Sequence, residues 1–347
     1  MYKKLLISFL LCAVSSTCFA QTALDGVLPL LQKPKRTEAE TRRVVALFRS
    51  AKEANVVFAT GAALVKTIPS KTQEPALLSI VMRPQDPLKQ AFAAIILTAM
   101  GNLDEELIPF LESGLQSPDK ALRAYAAAAH TLIRPKDTSY VTDIILLYSF
   151  DAKFATRALE ALASTEKQQL KLLKQGLNHT DAATRAAAAA WLGQLHNRQA
   201  ADLLLKRAKT ETDLGASGQL AIALAKNREF TFDATLKGLT KSYRAVPSST
   251  YALALGFMTG HSVDALRTAL TDSRVNVRIN AARAAAYMAN ILAGPDAFLY
   301  TGDSTFDIYL LKGLVAPLNA LSQSGNEDEK RYADHALRQI EKLMEPK

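Results

Sequence analysis

The chain has 347 residues, 49% of them hydrophobic and 22% charged, and its 42 Lys and Arg against 33 Asp and Glu give a net charge of +9. Both cysteines, Cys12 and Cys18, fall in the first twenty residues, so the remainder can hold no disulfide, thiol nucleophile or thiolate metal site. Basic and acidic residues are interspersed without a dense run, which reads as a solvated surface and leaves room for an acidic partner.

Residues 1–20 read as a secretory signal peptide: Lys3 and Lys4 precede a ten-residue apolar core, Leu5 to Val14, and Cys18-Phe19-Ala20 is a cleavage-type ending before Gln21. That core is too short to span a bilayer, and Ser15-Ser16-Thr17 is a poor lipobox, so lipidation of Cys18 is not expected. Without the two signal lysines the balance is 40 against 33, a net +7. No later stretch approaches eighteen uninterrupted apolar residues, so the mature chain is expected to be periplasmic or secreted without a transmembrane helix. Export argues against nucleic acid as the natural partner.

Residues 21–36 hold a short apolar segment and a Pro/Lys/Arg linker. Over 37–76 the spacing predicts an N-terminal cap with two helices. The first starts at Thr37, with Val44, Val45, Leu47 and Phe48 at helical spacing and Glu38 and Glu40 in its first turn. The second covers 53–67 and ends before Ile68-Pro69-Ser70. Repeats occupy 77–293. Asp86 is read as the cap of a helix opened by Pro87 and stopped near Gly101. Next come helices over 105–115 and Leu122–Ile133, with Ser117-Pro118 as the cap device, then 139–148 and a partner through Ala155, Leu159 and Leu162. Lys167–Leu177 is paired with a helix from Arg185 to Leu195 capped by Thr180; two degenerate copies follow, with second helices over 215–225 and 248–258, and a strong copy over 262–292. An insertion over 294–309 breaks the pattern and carries Phe298, Tyr300, Phe306 and Tyr309. A C-terminal cap over 310–347 closes the array with helices over 310–322 and 327–345. The sum is an all-α fold, an α-solenoid of about eight stacked antiparallel helix pairs in one domain.

The period is carried by a recurring plan. Leu115, Asp119, Arg123, Ala126 and Ala127 return as Leu177, Asp181, Arg185, Ala188 and Ala189, and again as Leu270, Arg278, Ala281 and Ala282. The leucines lie 62 and 93 residues apart, twice and three times 31, a signature of stacked helix pairs. Together these residues resemble HEAT-like repeats, particularly the short kind of the phycocyanin-lyase type, over residues 77–293; the third copy departs by placing Arg274 where the others have aspartate. The alanines are expected to let second helices approach closely. Asp119 with Arg123, and Asp181 with Arg185, stand four apart on one helical face and are read as structural pairs that can also bridge successive repeats. An anion-binding arginine ladder is the alternative.

The resemblance implies scaffolds, adaptors, lyases or hydroxylases, so function rests on the residues themselves. HEAT-type hydroxylases carry His-Glu dipeptides, whereas His130, His179, His196, His261 and His335 are each followed by Thr, Asn, Ser or Ala. No catalytic elbow, phosphate loop or dinucleotide fingerprint occurs, and Asp303 to Asp307 lacks the ligand density of a calcium loop. No catalytic, cofactor or metal residue is therefore assigned. The expected function is a non-enzymatic protein-interaction scaffold or adaptor of the bacterial envelope, with an anionic envelope polymer or lipid as the alternative ligand and a lyase-type enzyme further behind. Candidate contact residues are the insertion aromatics Phe298, Tyr300, Phe306 and Tyr309, and Arg134, Arg157, Arg198 and Arg283 on a groove of second helices.

Overall fold

The computed structural model describes residues 28–83, 86–294 and 304–345, the stretch 304–308 by its backbone. Among these residues the chain is all-α, with nineteen α-helices and no strand. A short α1 (Leu28–Leu31) precedes nine consecutive pairs. They are α2 (Glu38–Ser50) with α3 (Ala54–Thr67), α4 (Glu74–Val81) with α5 (Pro87–Ala99), and α6 (Ile108–Leu115) with α7 (Lys120–Ile133). Next come α8 (Val141–Leu147) with α9 (Ala152–Leu162), α10 (Glu166–Leu177) with α11 (Ala182–Leu192), and α12 (Arg198–Ala208) with α13 (Leu214–Lys226). The last three are α14 (Arg228–Gly238) with α15 (Val246–Phe257), α16 (Val263–Ala269) with α17 (Val275–Ala293), and α18 (Ser304–Ser324) with α19 (Glu327–Met344). The pair beyond the expected eight includes α4, an eight-residue helix too short to show a periodic pattern. Two compact units divide the chain, one ending at Gln169 and the other beginning at Leu170, inside α10.

Within each unit the second helices form the spine. In the first, α3, α5, α7 and α9 pack in succession; in the second, α11, α13, α15, α17 and α19 do so. Alanine makes the close stacking possible: Ala126 to Ala129 in α7, Ala188 and Ala189 in α11, and Ala281, Ala282, Ala284 and Ala285 in α17 are fully buried. At Gly193, at the end of α11, even a methyl group would stand 2.9 Å from the Ala223 Cα of α13, so only glycine permits the approach.

Aspartates open five of the second helices, α5, α7, α9, α11 and α13. Asp86, Asp119, Asp151, Asp181 and Asp213 accept first-turn N–H groups at 3.1, 2.9, 3.1, 3.2 and 2.9 Å. Two sequence expectations are corrected here. Asp181, not Thr180, caps α11, and Asp119 caps α7, while the Ser117 hydroxyl accepts the Asp119 N–H at 3.1 Å and Pro118 stays outside the helix. A carboxylate is the stronger acceptor for a helix N-terminal N–H, which decides the competition.

Arg36, read from the sequence as part of a linker, is instead a clamp. It donates to the carbonyls of Leu30, Leu31 and Ala63 at 2.8, 2.6 and 3.0 Å and to the Thr67 hydroxyl at 2.6 Å. One guanidinium thus gathers the last carbonyls of α1 and of α3, where helix dipoles favour a cation. At the far end α18 begins at Ser304, so 304–309 of the expected insertion belongs to a helix, which runs on through Pro317. The signal-peptide reading, Phe298, Tyr300 and the Phe306 side chain lie outside what the structure describes. No helix among the described residues is long and apolar enough to cross a membrane.

Candidate partner-binding surface

The repeat arginines act alike at three places. Arg123 donates Nη1 to the Ser117 carbonyl at 3.2 Å and Nε to Asp143 of α8 at 3.0 Å. Arg185 donates to the carbonyls of His179 and Thr180 at 3.0 and 2.7 Å, and takes both Glu211 oxygens at 2.8 Å. Arg278 donates to the Asp272 carbonyl at 2.5 Å and to Glu329 of α19 at 2.6 Å. Each guanidinium closes the turn behind it and then reaches a carboxylate of the following pair. Asp119 and Asp181 are taken up as caps, so the carboxylate comes from elsewhere in the stack. With their donors engaged in this way, these arginines do not form a vacant anion ladder.

Glu211 is the most buried of these acids, its side chain fully shielded, and it also accepts Arg207 at 3.0 Å. Burial alone would raise its pKa. The bonds from Arg185, the Asp213 N–H and Arg207 outweigh burial and hold it at about 2.

The four arginines expected on a groove are engaged separately. Arg134, at the end of α7, pairs with Glu105 at 3.0 Å on an exposed surface. Arg157 donates to the Ala99 carbonyl at 3.0 Å and lies 5.9 Å over the Phe154 ring. Arg198 opens α12, a first helix, and pairs with Asp202 at 3.4 Å, both side chains well exposed. Exposed pairs of that kind contribute at most about 1 kcal/mol. Of the insertion aromatics, only the Tyr309 side chain is described; it is 65% exposed, with the Lys312 ammonium 5.5 Å over its ring.

Arg283 leads to a polar and aromatic cluster in the second unit. It donates to the Tyr243 carbonyl at 2.7 Å and to the Ser249 hydroxyl, and lies 5.8 Å over the Tyr332 ring. Tyr243 and Tyr332 meet edge to face at 6.1 Å, and the Tyr243 hydroxyl donates to Asp328. Arg244 donates Nε to the Tyr243 oxygen at 3.1 Å, lies 5.3 Å over that ring and reaches Asp328 at 3.5 Å. Arg331 pairs with Asp328 at 2.9 Å and lies 4.9 Å over Tyr332. The Tyr243 hydrogen bond, then Arg331 and Arg244, hold the Asp328 carboxyl below its ordinary range. Arg244 and Arg331 are 78% and 64% exposed, so the cluster presents cations to solvent on an aromatic bed. Sequence reading found only Arg283 of this set. The 239–245 turn and α19 stand more than eighty residues apart, and no repeat position links them. A visible signal was Tyr332, a lone aromatic in a heavily charged helix.

The first unit holds a small cleft lined by Val65, Lys66, Ile68, Asp151, Lys153, Phe154 and Arg157. Ile68 has φ +44°, a conformation β-branched residues rarely adopt, and the buried Asp151 Oδ2 and Tyr125 hydroxyl lack hydrogen-bond partners among the described residues. The space is water-sized.

His130 of α7 is 3% exposed and meets Tyr140 edge to face at 5.0 Å. Burial pushes its pKa down, while Asp137 and Glu112 pull it up and Arg134 adds to the fall. The folded state therefore binds the proton less readily than the unfolded chain, whose histidine titrates near 6.5. Stability is expected to be full above that pH and to decline as pH falls below it. Thermal melts of the wild type between neutral and mildly acidic pH should show the decline, and His130→Gln should flatten it; an unchanged slope would refute the assignment.

No family model matches this chain, and no curated protein does. Among solved structures, human deoxyhypusine hydroxylase in complex with glycerol aligns over 93% of this chain and 97% of its own, at 14% identity and a TM-score of 0.25. An engineered protein aligns over 79% of this chain and 100% of its own, at 19% identity and a TM-score of 0.22. The coarse statement that stands is a repeat protein built of helices. One expectation is corrected: with an enzyme among the structural neighbours, the lack of a familiar motif gives no ground for reading the chain as a non-enzyme. Likeness of this size transfers neither activity nor ligand.

Proposed function

We propose that this chain is an exported protein-interaction scaffold or adaptor of the bacterial envelope, built on short HEAT-like repeats related to the phycocyanin-lyase type. The observation that supports the reading is the exposed Arg244–Arg331 pair laid over Tyr243 and Tyr332. Arginine and tyrosine are over-represented among side chains that dominate protein interfaces, because each offers a large planar face together with directed hydrogen bonding. Arg331 and Tyr332 stand on α19, which the Arg278–Glu329 bridge ties to α17, and Tyr243 and Arg244 stand on the 239–245 turn, which the Tyr243 hydroxyl ties to Asp328 and the Tyr243 carbonyl ties to Arg283.

The test is crosslinking in intact cells with the wild type and the Arg244→Ala/Arg331→Ala variant. A defined protein captured by the wild type and lost by the variant supports the adaptor. Capture of an anionic envelope polymer or lipid in its place would replace the adaptor with a polymer-binding module.

A further inference from the structure

We propose that Arg244 and Arg331 form a recognition site for an acidic peptide segment of a partner protein, a proposal that rests on the scaffold reading above. The argument starts from donors. A guanidinium carries five N–H groups in a planar fork matched to a carboxylate. Arg244 engages Nε with Tyr243 and Nη2 with Asp328, and Arg331 engages Nη2 with Asp328, so each fork retains donors for a further acceptor. Asp328 is one carboxylate facing these two cations, with Arg283 as a third within the same cluster. The local balance is positive.

The forks are also held in place. Each lies over a tyrosine ring, at 5.3 and 4.9 Å, and the rings lock edge to face at 6.1 Å. Tyr243 is further tied through its hydroxyl to Asp328 and through its carbonyl to Arg283 at 2.7 Å. A cation already positioned on an aromatic face gives up less side-chain freedom when it binds, which raises affinity without a new contact.

Asp328 helps to choose the partner. Lying against both guanidinia, it repels a dense polyanion such as polyphosphate more than carboxylates spaced along a peptide, which can pass on either side of it. Peptide side chains between the carboxylates can then cover the exposed edges of the two rings.

The probe is a fluorescein-labelled peptide of alternating Glu and Ala, titrated with the full chain by anisotropy at low and at physiological salt. Binding is expected at low salt, weakened by salt and weakened about tenfold or more in Arg244→Ala/Arg331→Ala. Tyr332→Phe, which keeps the ring, should bind as the wild type does, while Tyr332→Leu should fall between; circular dichroism checks that each variant is folded. Equal affinity of the double variant and the wild type would overturn the proposal. So would tighter binding of polyphosphate or of phosphatidylglycerol vesicles that depends on the same two arginines. If the peptide fails to bind while the cellular crosslink is still lost in the double variant, the acidic class is wrong and the scaffold reading survives. If both fail, both fall.

Discussion

Replacing Glu211 by alanine is expected to destabilise the second unit by about 3–5 kcal/mol, the usual cost of leaving buried charge unpaired. Glu211 is fully shielded, receives Arg185 through two bonds at 2.8 Å, and takes Arg207 at 3.0 Å. It also accepts the N–H groups of Thr212 and Asp213 at 3.0 and 2.9 Å, so the carboxylate organises the turn that leads into α13. Without it Arg185, itself only 10% exposed, is left with backbone carbonyls alone. Urea unfolding of the two variants Glu211→Ala and Arg185→Ala, and of the double, should give losses that do not add, because both remove the same bridge. Additive losses would mean that the bridge is not the stabilising unit. The same pair sets an acid limit. With its pKa held at about 2, Glu211 contributes stability above the ordinary carboxylate range, and that contribution is lost as pH falls through about 2. Glu211→Gln should be less stable at neutral pH and should lose less on acidification.

Phe92→Ala is expected to cost the first unit about 3–5 kcal/mol through the cavity it leaves. The ring is fully buried in α5, meets Phe58 edge to face at 5.2 Å and fills the space that Gly61 of α3 leaves open. A methyl group at position 61 would lie 2.6 Å from the Phe92 Cδ1. Gly61→Ala should therefore cost about 1–3 kcal/mol by overpacking, even though alanine is favoured over glycine in a helix by about 1 kcal/mol. The two sites are one contact. Gly61→Ala combined with Phe92→Leu should thus be more stable than the sum of the single losses, because leucine vacates the volume the new methyl needs. A double variant no better than the sum would show that α3 and α5 adjust independently. The comparison needs probes placed in each unit, since a chain of two compact units need not unfold in one step.

Much of the helix pairing was legible because it is local. Asp86 before Pro87, the alanine runs behind Arg123 and Arg185, and the Glu38 and Glu40 start of α2 are short-range patterns that the structure repeats. The clearest period lay elsewhere than expected. Asp151 and Asp213 carry the same capping role as Asp119 and Asp181, so aspartate marks the repeat through the first of the two degenerate copies, while the second, over 248–258, opens at Ala245 without a side-chain cap. Arg36 and α4 were missed because one works through carbonyls of two separate helices and the other is only two turns long.

The sequence by itself determined the all-helical class and most of the helix boundaries, since caps, prolines and apolar spacing act within a few residues. It also marked Arg123, Arg185 and Arg278 as equivalent. Only the tertiary structure decided where those arginines point. Their carboxylates, Asp143, Glu211 and Glu329, lie 20, 26 and 51 residues away at unequal steps, because in the following pair one stands on the first helix, one in the turn between the helices and one on the second helix. The Tyr243–Tyr332 surface has the same origin: stacking brings together a turn and a closing helix that no short-range rule connects.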